Sequence, residues 1–137
     1  MFNRIMMPVD LAHVDKLERA LRCASDLAQY YSATLVYVGV AAATPGSVAH
    51  TPQELAQKMA DFAAEQGQAR GVAAEGLALT SHDPTTDLDP TLLKAIEETE
   101  ADLVVMASHV PNLTDYIWPS NGGTLAKRAS VSVMVVR

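Results

Sequence analysis

The sequence predicts an α/β fold: a single doubly wound domain over residues 1–137, its five-stranded, mainly parallel sheet in the order 3-2-1-4-5 with four helices on both faces. Three observations carry that class. Apolar periodicity alternates along the chain between short strand-like runs and longer stretches at helical spacing. The strand-like runs are apolar at nearly every position, as strands covered by helices on both faces must be. The 137 residues, 49% hydrophobic and 19% charged, suffice for one core and fall short of two.

The first strand is read over 5–9, compact and apolar until Asp10 and Leu11 open a loop. A helix over about 14–31 follows, with Val14, Leu17, Leu21, Ala24, Ala28 and Tyr31 on one stripe and Asp15, Glu18, Arg19 and Arg22 facing water. The second strand, 34–40, contains Leu35, Val36, Val38 and Val40. The small residues of 41–50, with Pro45, Gly46 and Ser47, form a surface loop. Thr51, Pro52 and Glu54 then spell an N-cap, a proline at the first helical position and a capping-box glutamate. That second helix buries Leu55, Met59, Phe62 and Ala63 and is expected to stop at Gly67. Val72, Leu77 and Leu79 support a third strand within 71–81. After the polar loop 82–88, Asp89 and Pro90 repeat the cap-then-proline pattern ahead of Leu92, Leu93 and Ile96, and this third helix ends near Glu100. Strands four and five are read at 102–107 and 131–136, with a helix over 120–129 between them. There is no internal repeat, charge block or linker.

Composition excludes several classes of function. Cys23 is the single cysteine, which rules out a disulfide framework and a zinc site of paired thiolates and makes a reduced, cytoplasmic setting the expectation. Ten Lys and Arg against 16 Asp and Glu give a net charge of -6 and a pI near 5.0, the wrong sign for general nucleic-acid or anionic-membrane binding. No apolar run approaches the roughly 20 residues that cross a bilayer, and in the opening MFNRIMMPVD the charge of Asp10 falls where a signal peptide would still be apolar.

Ligands of open parallel sheets settle beyond the carboxyl ends of the strands, where the strand order reverses. Four segments lie at such ends: Pro8-Val9-Asp10-Leu11; Val38-Gly39-Val40; Ala107-Ser108-His109, with Met106 before them; and Ser120-Asn121-Gly122-Gly123-Thr124 at the start of the last helix. Small polar residues at a helix N-terminus leave N–H groups and a positive dipole end for a phosphate. The last segment matches neither the dinucleotide-binding glycine pattern nor the P-loop, and Ser120 alone also reads as an ordinary N-cap. Asp10 likewise reads either as a ligand group or as the cap of the coming helix. His13, His50 and His82 are scattered without metal-ligand spacing, and Cys23 reads as a packing residue. Nothing pairs a nucleophile with a base, so no catalytic residue is assigned and enzymatic activity beyond slow nucleotide hydrolysis is not expected.

The segments IMMPVDLAH, LVYVGV and ADLVVMASHVPNLTDYIWPSNGGTLAKRASVSVMVVR resemble those of the universal stress proteins of the UspA superfamily. The likeness is greatest to the small bacterial F/G-type branch, whose C-terminal half reads ASHRP…DYLLGSN…VVRHA…VLVVR. The resemblance implies a cytoplasmic, non-enzymatic regulatory module that binds ATP through a loop of pattern G-x-x-G-x9-G-[ST]. On that pattern Ala107 stands at the first glycine and Val110 at the second, and Pro119, after a spacer of eight residues instead of nine, is set at the third, followed by Ser120. Proline has no N–H to give a phosphate, so weakened ATP binding is expected, with Ser120, Asn121 and Gly122-Gly123 as partial replacements. The implied site comprises Pro8, Val9, Asp10, Val38, Met106, Ala107, Ser108, His109, Ser120, Asn121 and Gly122. Val38 and its backbone would receive adenine, and Asp10 would lie near the triphosphate through Mg²⁺.

The apolar last strand, together with the resemblance, predicts a homodimer paired through that strand. A second reading, favoured by Val110 and Pro119, is an interaction protein of the same fold that binds no nucleotide and meets an unidentified protein partner through its dimer surface. A flavodoxin-like redox domain would need a flavin-stacking aromatic at the strand ends, which the sequence lacks. Tyr116, Ile117 and Trp118 read as a lid, a partner surface or a plug beneath the loop.

Overall fold

The computed structural model describes residues 1–42, 48–82, 88–108 and 122–137. Its strands are β1 (Arg4–Pro8), β2 (Thr34–Ala42), β3 (Ala74–Ser81), β4 (Leu103–Ala107) and β5 (Ser132–Val136). They form one sheet in the order β3-β2-β1-β4-β5, with every neighbouring pair parallel. Among the described residues four α-helices connect them: α1 (Glu18–Tyr31), α2 (Pro52–Arg70), α3 (Leu88–Thr99) and α4 (Gly122–Arg128). The chain steps outward from β1 to β2 to β3, then returns past β1 to β4 and β5. Right-handed crossovers therefore put α1 and α2 on one face and α3 and α4 on the other.

The core lies on both sides of the central strands. Ile5, Met6, Met7, Leu35, Tyr37, Val38, Val104 and Val105 are fully shielded, which explains why those runs are apolar at consecutive positions. Toward the edge, β5 is less covered, and Met134 and Val135 are each 42% exposed. Two glycines let α2 approach the sheet. A Cβ on Gly39 would stand 2.6 Å from Met59 Sδ, and one on Gly76 only 2.3 Å from the Met59 carbonyl oxygen.

The expected elements are present, but their ends differ. Strand β2 runs two residues past Val40 to Ala42, into the stretch read as loop, because its pairing with β3 continues to Ala42↔Ser81. Strand β1 is shifted by one residue, β4 and β5 each start one residue late, and four further changes follow. The helix expected from residue 14 is divided into a 3-10 segment, Leu11–Lys16, and α1. Asp10 caps the segment early by accepting the Ala12 N–H, and the backbone of His13 (φ -133°, ψ 36°) leaves helical geometry. Helix α2 continues through Gly67 to Arg70 and ends at Gly71, whose φ of +66° closes the C-terminus. Gly67 is needed for close approach instead, since a Cβ there would lie 2.9 Å from the Val72 carbonyl oxygen. Helix α3 already includes Leu88, which places Asp89 inside the helix and Pro90 in the first turn, where a missing N–H costs no intrahelical bond. Strand β3 starts at Ala74 rather than at the flanking glycine. The Thr51 cap is as expected: its Oγ1 accepts the Glu54 N–H at 3.1 Å, and Glu54 in turn accepts the His50 N–H at 3.0 Å.

Candidate functional site

At their carboxyl ends β1 and β4 separate. Their ladder consists of Ile5↔Leu103 and Met6↔Val104, whereas β1 stays paired with β2 as far as Pro8↔Val38 and the Val9 N–H continues the bond to the Val38 carbonyl at 2.8 Å. Strand β4 keeps to its other neighbour through Ala107↔Val136, and the Ser108 N–H donates to the Val136 carbonyl at 2.7 Å. Pro8 contributes to this parting because it has no N–H for a further rung. The gap between β1 and β4 is the point where strand order reverses, the place at which open α/β sheets take ligands.

Around that gap the sequence-predicted residues divide into two groups. Val9, Val38 and Met106 are 2%, 0% and 3% exposed, so they act as floor and core rather than as polar contacts. Pro8 is also buried, while Ala107 and Ser108 are half-buried at the rim. Gly122 opens α4, a short helix anchored by the fully buried Leu125. His109, Ser120 and Asn121 lie outside the described residues, as do Val110, Pro119 and the segment Tyr116 to Trp118.

Asp10 sits at the end of β1 with 5% of its surface exposed. Its Oδ1 accepts the Ala12 N–H at 2.9 Å and its Oδ2 faces His13 Nδ1 at 2.9 Å. Its capping role is therefore realised, and its second partner is His13, which in the sequence is one of several scattered histidines. The signal was the spacing Asp-x-x-His directly after a strand, which puts the third residue past a cap within reach of the capping carboxylate. Cys23 packs as expected on the outer strand, with Sγ 3.7 Å from Met134 Sδ. Lys127 and Arg128 fall in the last turn of α4, away from its N-terminal end.

At the opposite, amino end of the sheet a network ties the strands together. Asp102 accepts the N–H groups of Asn3 and Arg4 at 2.8 and 3.1 Å, and Arg4 makes a two-pronged contact with Glu75 at 2.7 and 3.3 Å. Burial pushes the Asp102 carboxyl up, but the donors from Asn3 and Arg4 outweigh it and hold it below its ordinary value. The Arg4 hydrogen bond does the same to Glu75.

Comparison with known proteins agrees with this geometry. The model of the universal stress protein family matches residues 1–137, and the chain belongs to that family. It is 26% identical to universal stress protein G of Salmonella typhimurium, with 100% of both chains covered. Among solved structures it superposes on a universal stress protein from Archaeoglobus fulgidus with a TM-score of 0.71 at 19% identity over 100% of both chains. A universal stress protein in complex with cAMP gives a TM-score of 0.70 at 18% identity, covering 99% of this chain and 97% of the other. The Archaeoglobus fulgidus protein in complex with dAMP gives 0.68 at 18% identity over 98% of each. At these identities the superpositions show the fold. No helix among the described residues is long and apolar enough to cross a membrane.

Proposed function

We propose that residues 1–137 act as one non-enzymatic, nucleotide-binding regulatory domain whose occupancy alters its shape or its choice of partner. The observation that carries this reading is the parting of β1 and β4 at the reversal of strand order, in a fold whose other members are solved with cAMP and dAMP. The ligand proposed is ATP. Its adenine rests against the ends of β1 and β2 at Pro8, Val9 and Val38, and its phosphates reach across the gap over Met106, Ala107 and Ser108 toward Gly122, with His109, Ser120 and Asn121 completing the set. Mg²⁺, where ATP brings it, rides on the phosphates. The protein works in the cytoplasm as a homodimer.

The dimer reading is supported by the geometry of β5. Because the Val136 carbonyl is taken by Ser108 on the β4 side, strand alternation turns the backbone groups of Val133 and Val135 to the outer edge. That edge is flanked by the half-exposed Met134 and Val135 side chains and invites pairing with a second copy. The same edge favours the second reading, an interaction protein that binds no nucleotide and meets a protein partner through its dimer surface.

Mass spectrometry of small molecules released from protein purified without added ligand separates the two. An adenine nucleotide in the released fraction is the expected result. Its absence, together with no heat on titration with ATP or AMP, would leave the interaction protein as the function.

A further inference from the structure

The two edges of the sheet are built differently. A strand without an outer neighbour presents backbone donors and acceptors with which another chain can pair, and natural edges are blunted by shortness, charge, proline or a bulge. Strand β5 has five residues. Strand β3 has eight, Ala74–Ser81, and lacks the usual guards. It contains no proline, its register with β2 is unbroken from Leu35↔Ala74 to Ala42↔Ser81, and its single charge, Glu75, is engaged by Arg4 at 2.7 Å. The Leu35 N–H bonds the Ala73 carbonyl at 2.9 Å, so alternation turns the N–H and C=O groups of Ala74, Gly76, Ala78 and Thr80 away from β2. Among the described residues no loop or helix backbone bonds to them, and Gly76 and Thr80 are exposed.

We propose that the outer edge of β3 docks an extended segment of another polypeptide, apolar at every second residue, which joins the sheet as a further strand. The proposal needs neither the nucleotide nor the pairing of β5. A second copy of this chain does not fit there. The backbone of α2 stands over β3, since the Met59 carbonyl oxygen would lie 2.3 Å from a Cβ on Gly76, whereas it is the Met59 side chain that extends to Gly39 on β2. Pairing β3 with its own copy would set two such helices about 5 Å apart, the spacing of neighbouring strands, where packed helices need about 8–10 Å. A bare strand brings no helix. Phe62 turns inward to Tyr37 of β2, with ring centroids 5.1 Å apart, so helical geometry places Ala56, Ala60 and Ala64 on the outer flank of α2. These alanines are exposed, and their short side chains leave space for a strand beside β3. On the α2 side the added segment lies against Gly76, Ala78 and the alanine flank, which take small side chains. On the other side it lies beside Leu77 and Leu79, both half-buried, where apolar side chains gain most. Glu75 keeps 55% of its side chain exposed and favours a basic residue opposite, in a chain of net charge -6.

Fluorescence polarisation of the full chain with a labelled peptide of alternating threonine and valine, ending in lysine on both sides, tests the proposal. Residues that form a hydrogen-bonded pair across two strands share a sheet face, so threonines lying on the α2 side point their N–H groups at β3 and the valines point theirs away. N-methylation of the threonines should therefore weaken binding by about 10-fold or more, and N-methylation of the valines should leave it within about 2-fold. Ala78→Pro deletes an outward N–H while the rungs to β2 stay, and should weaken the unmodified peptide about 10-fold. Thr80→Pro makes the same deletion at an exposed position near the end of the strand and should give a similar loss, so misfolding of the first variant would not obscure the result. No binding at about 1 mM peptide, equal losses from the two methylated peptides, or unchanged binding by folded Thr80→Pro overturns the proposal. A smaller sedimenting species for folded Thr80→Pro than for the unaltered chain also overturns it, because a second copy would then be the occupant.

Discussion

Replacing Gly76 by alanine should destabilise the protein more than any other one-methyl addition in the β2–β3 region. The added Cβ would lie 2.3 Å from the Met59 carbonyl oxygen, 2.5 Å from its carbonyl carbon and 2.9 Å from the Ala60 nitrogen. All three are backbone atoms of α2, so no rotamer change relieves the clash. Restoring van der Waals distance requires the helix to lift from the sheet by about 1 Å, which loosens Met59 and the buried residues next to it. Overpacking of this kind costs about 1–3 kcal/mol or more, offset by about 0.4–1 kcal/mol from the stiffer unfolded chain. A net loss of about 2 kcal/mol corresponds to a fall in Tm of about 8 °C for a chain of this size. Gly39→Ala is the internal reference. Its Cβ would meet Met59 Sδ at 2.6 Å and Cγ at 3.0 Å, atoms of a flexible side chain that can yield, so its cost should stay under about 1 kcal/mol. Urea unfolding followed by far-ultraviolet circular dichroism measures both. If Gly76→Ala is no less stable than Gly39→Ala, the close approach of α2 to β3 is not as described.

Stability should also fall in acid, because the carboxyls of Asp102 and Glu75 are held below their ordinary values. A depressed folded-state pKa contributes stability that is full above the ordinary carboxylate range and disappears as pH drops through the lowered value. Asp102→Asn should cost about 1–2 kcal/mol at neutral pH and flatten that acid limb in urea titrations at stepped pH; an unchanged slope would count against the network. Ser81 is 4% exposed, and its buried hydroxyl has no hydrogen-bond partner among the described residues. Ser81→Ala should therefore be neutral or stabilising by up to about 1 kcal/mol, and a clear drop in Tm would show that the hydroxyl is satisfied. Val133→Pro removes an N–H from the outer edge of β5 while leaving the rungs to β4 intact, so under the proposed β5 pairing sedimentation should show a dimer for the unaltered chain and a folded monomer for the variant. Loss of the fold rather than of the dimer would mean that the alternation along β5 is reversed.

Local chemistry in the sequence determined the elements and their order. Consecutive apolar residues marked β1, β2 and β4 as strands buried on both faces, and the Thr51-Pro52-Glu54 cap fixed the start of α2, because capping is settled within one turn of chain. It also placed Pro8, Val9, Asp10, Val38, Met106, Ala107 and Ser108 at or beside strand ends, since strand ends follow from where the apolar runs stop. What the sequence left open required contacts between distant residues or a backbone angle. A glycine letter does not reveal whether its φ is positive, as at Gly71, or whether another element presses on it, as at Gly67 and Gly76. The parting of β1 from β4 exists only because β1 keeps to β2 and β4 to β5, a choice of neighbours made by the sheet as a whole. The contact between His13 and Asp10 is hidden in the sequence for the same reason. The His13 ring meets Asp10 only because the chain leaves helical geometry at that residue, and the turn that brings them together has to follow a strand whose end the packed sheet holds in place.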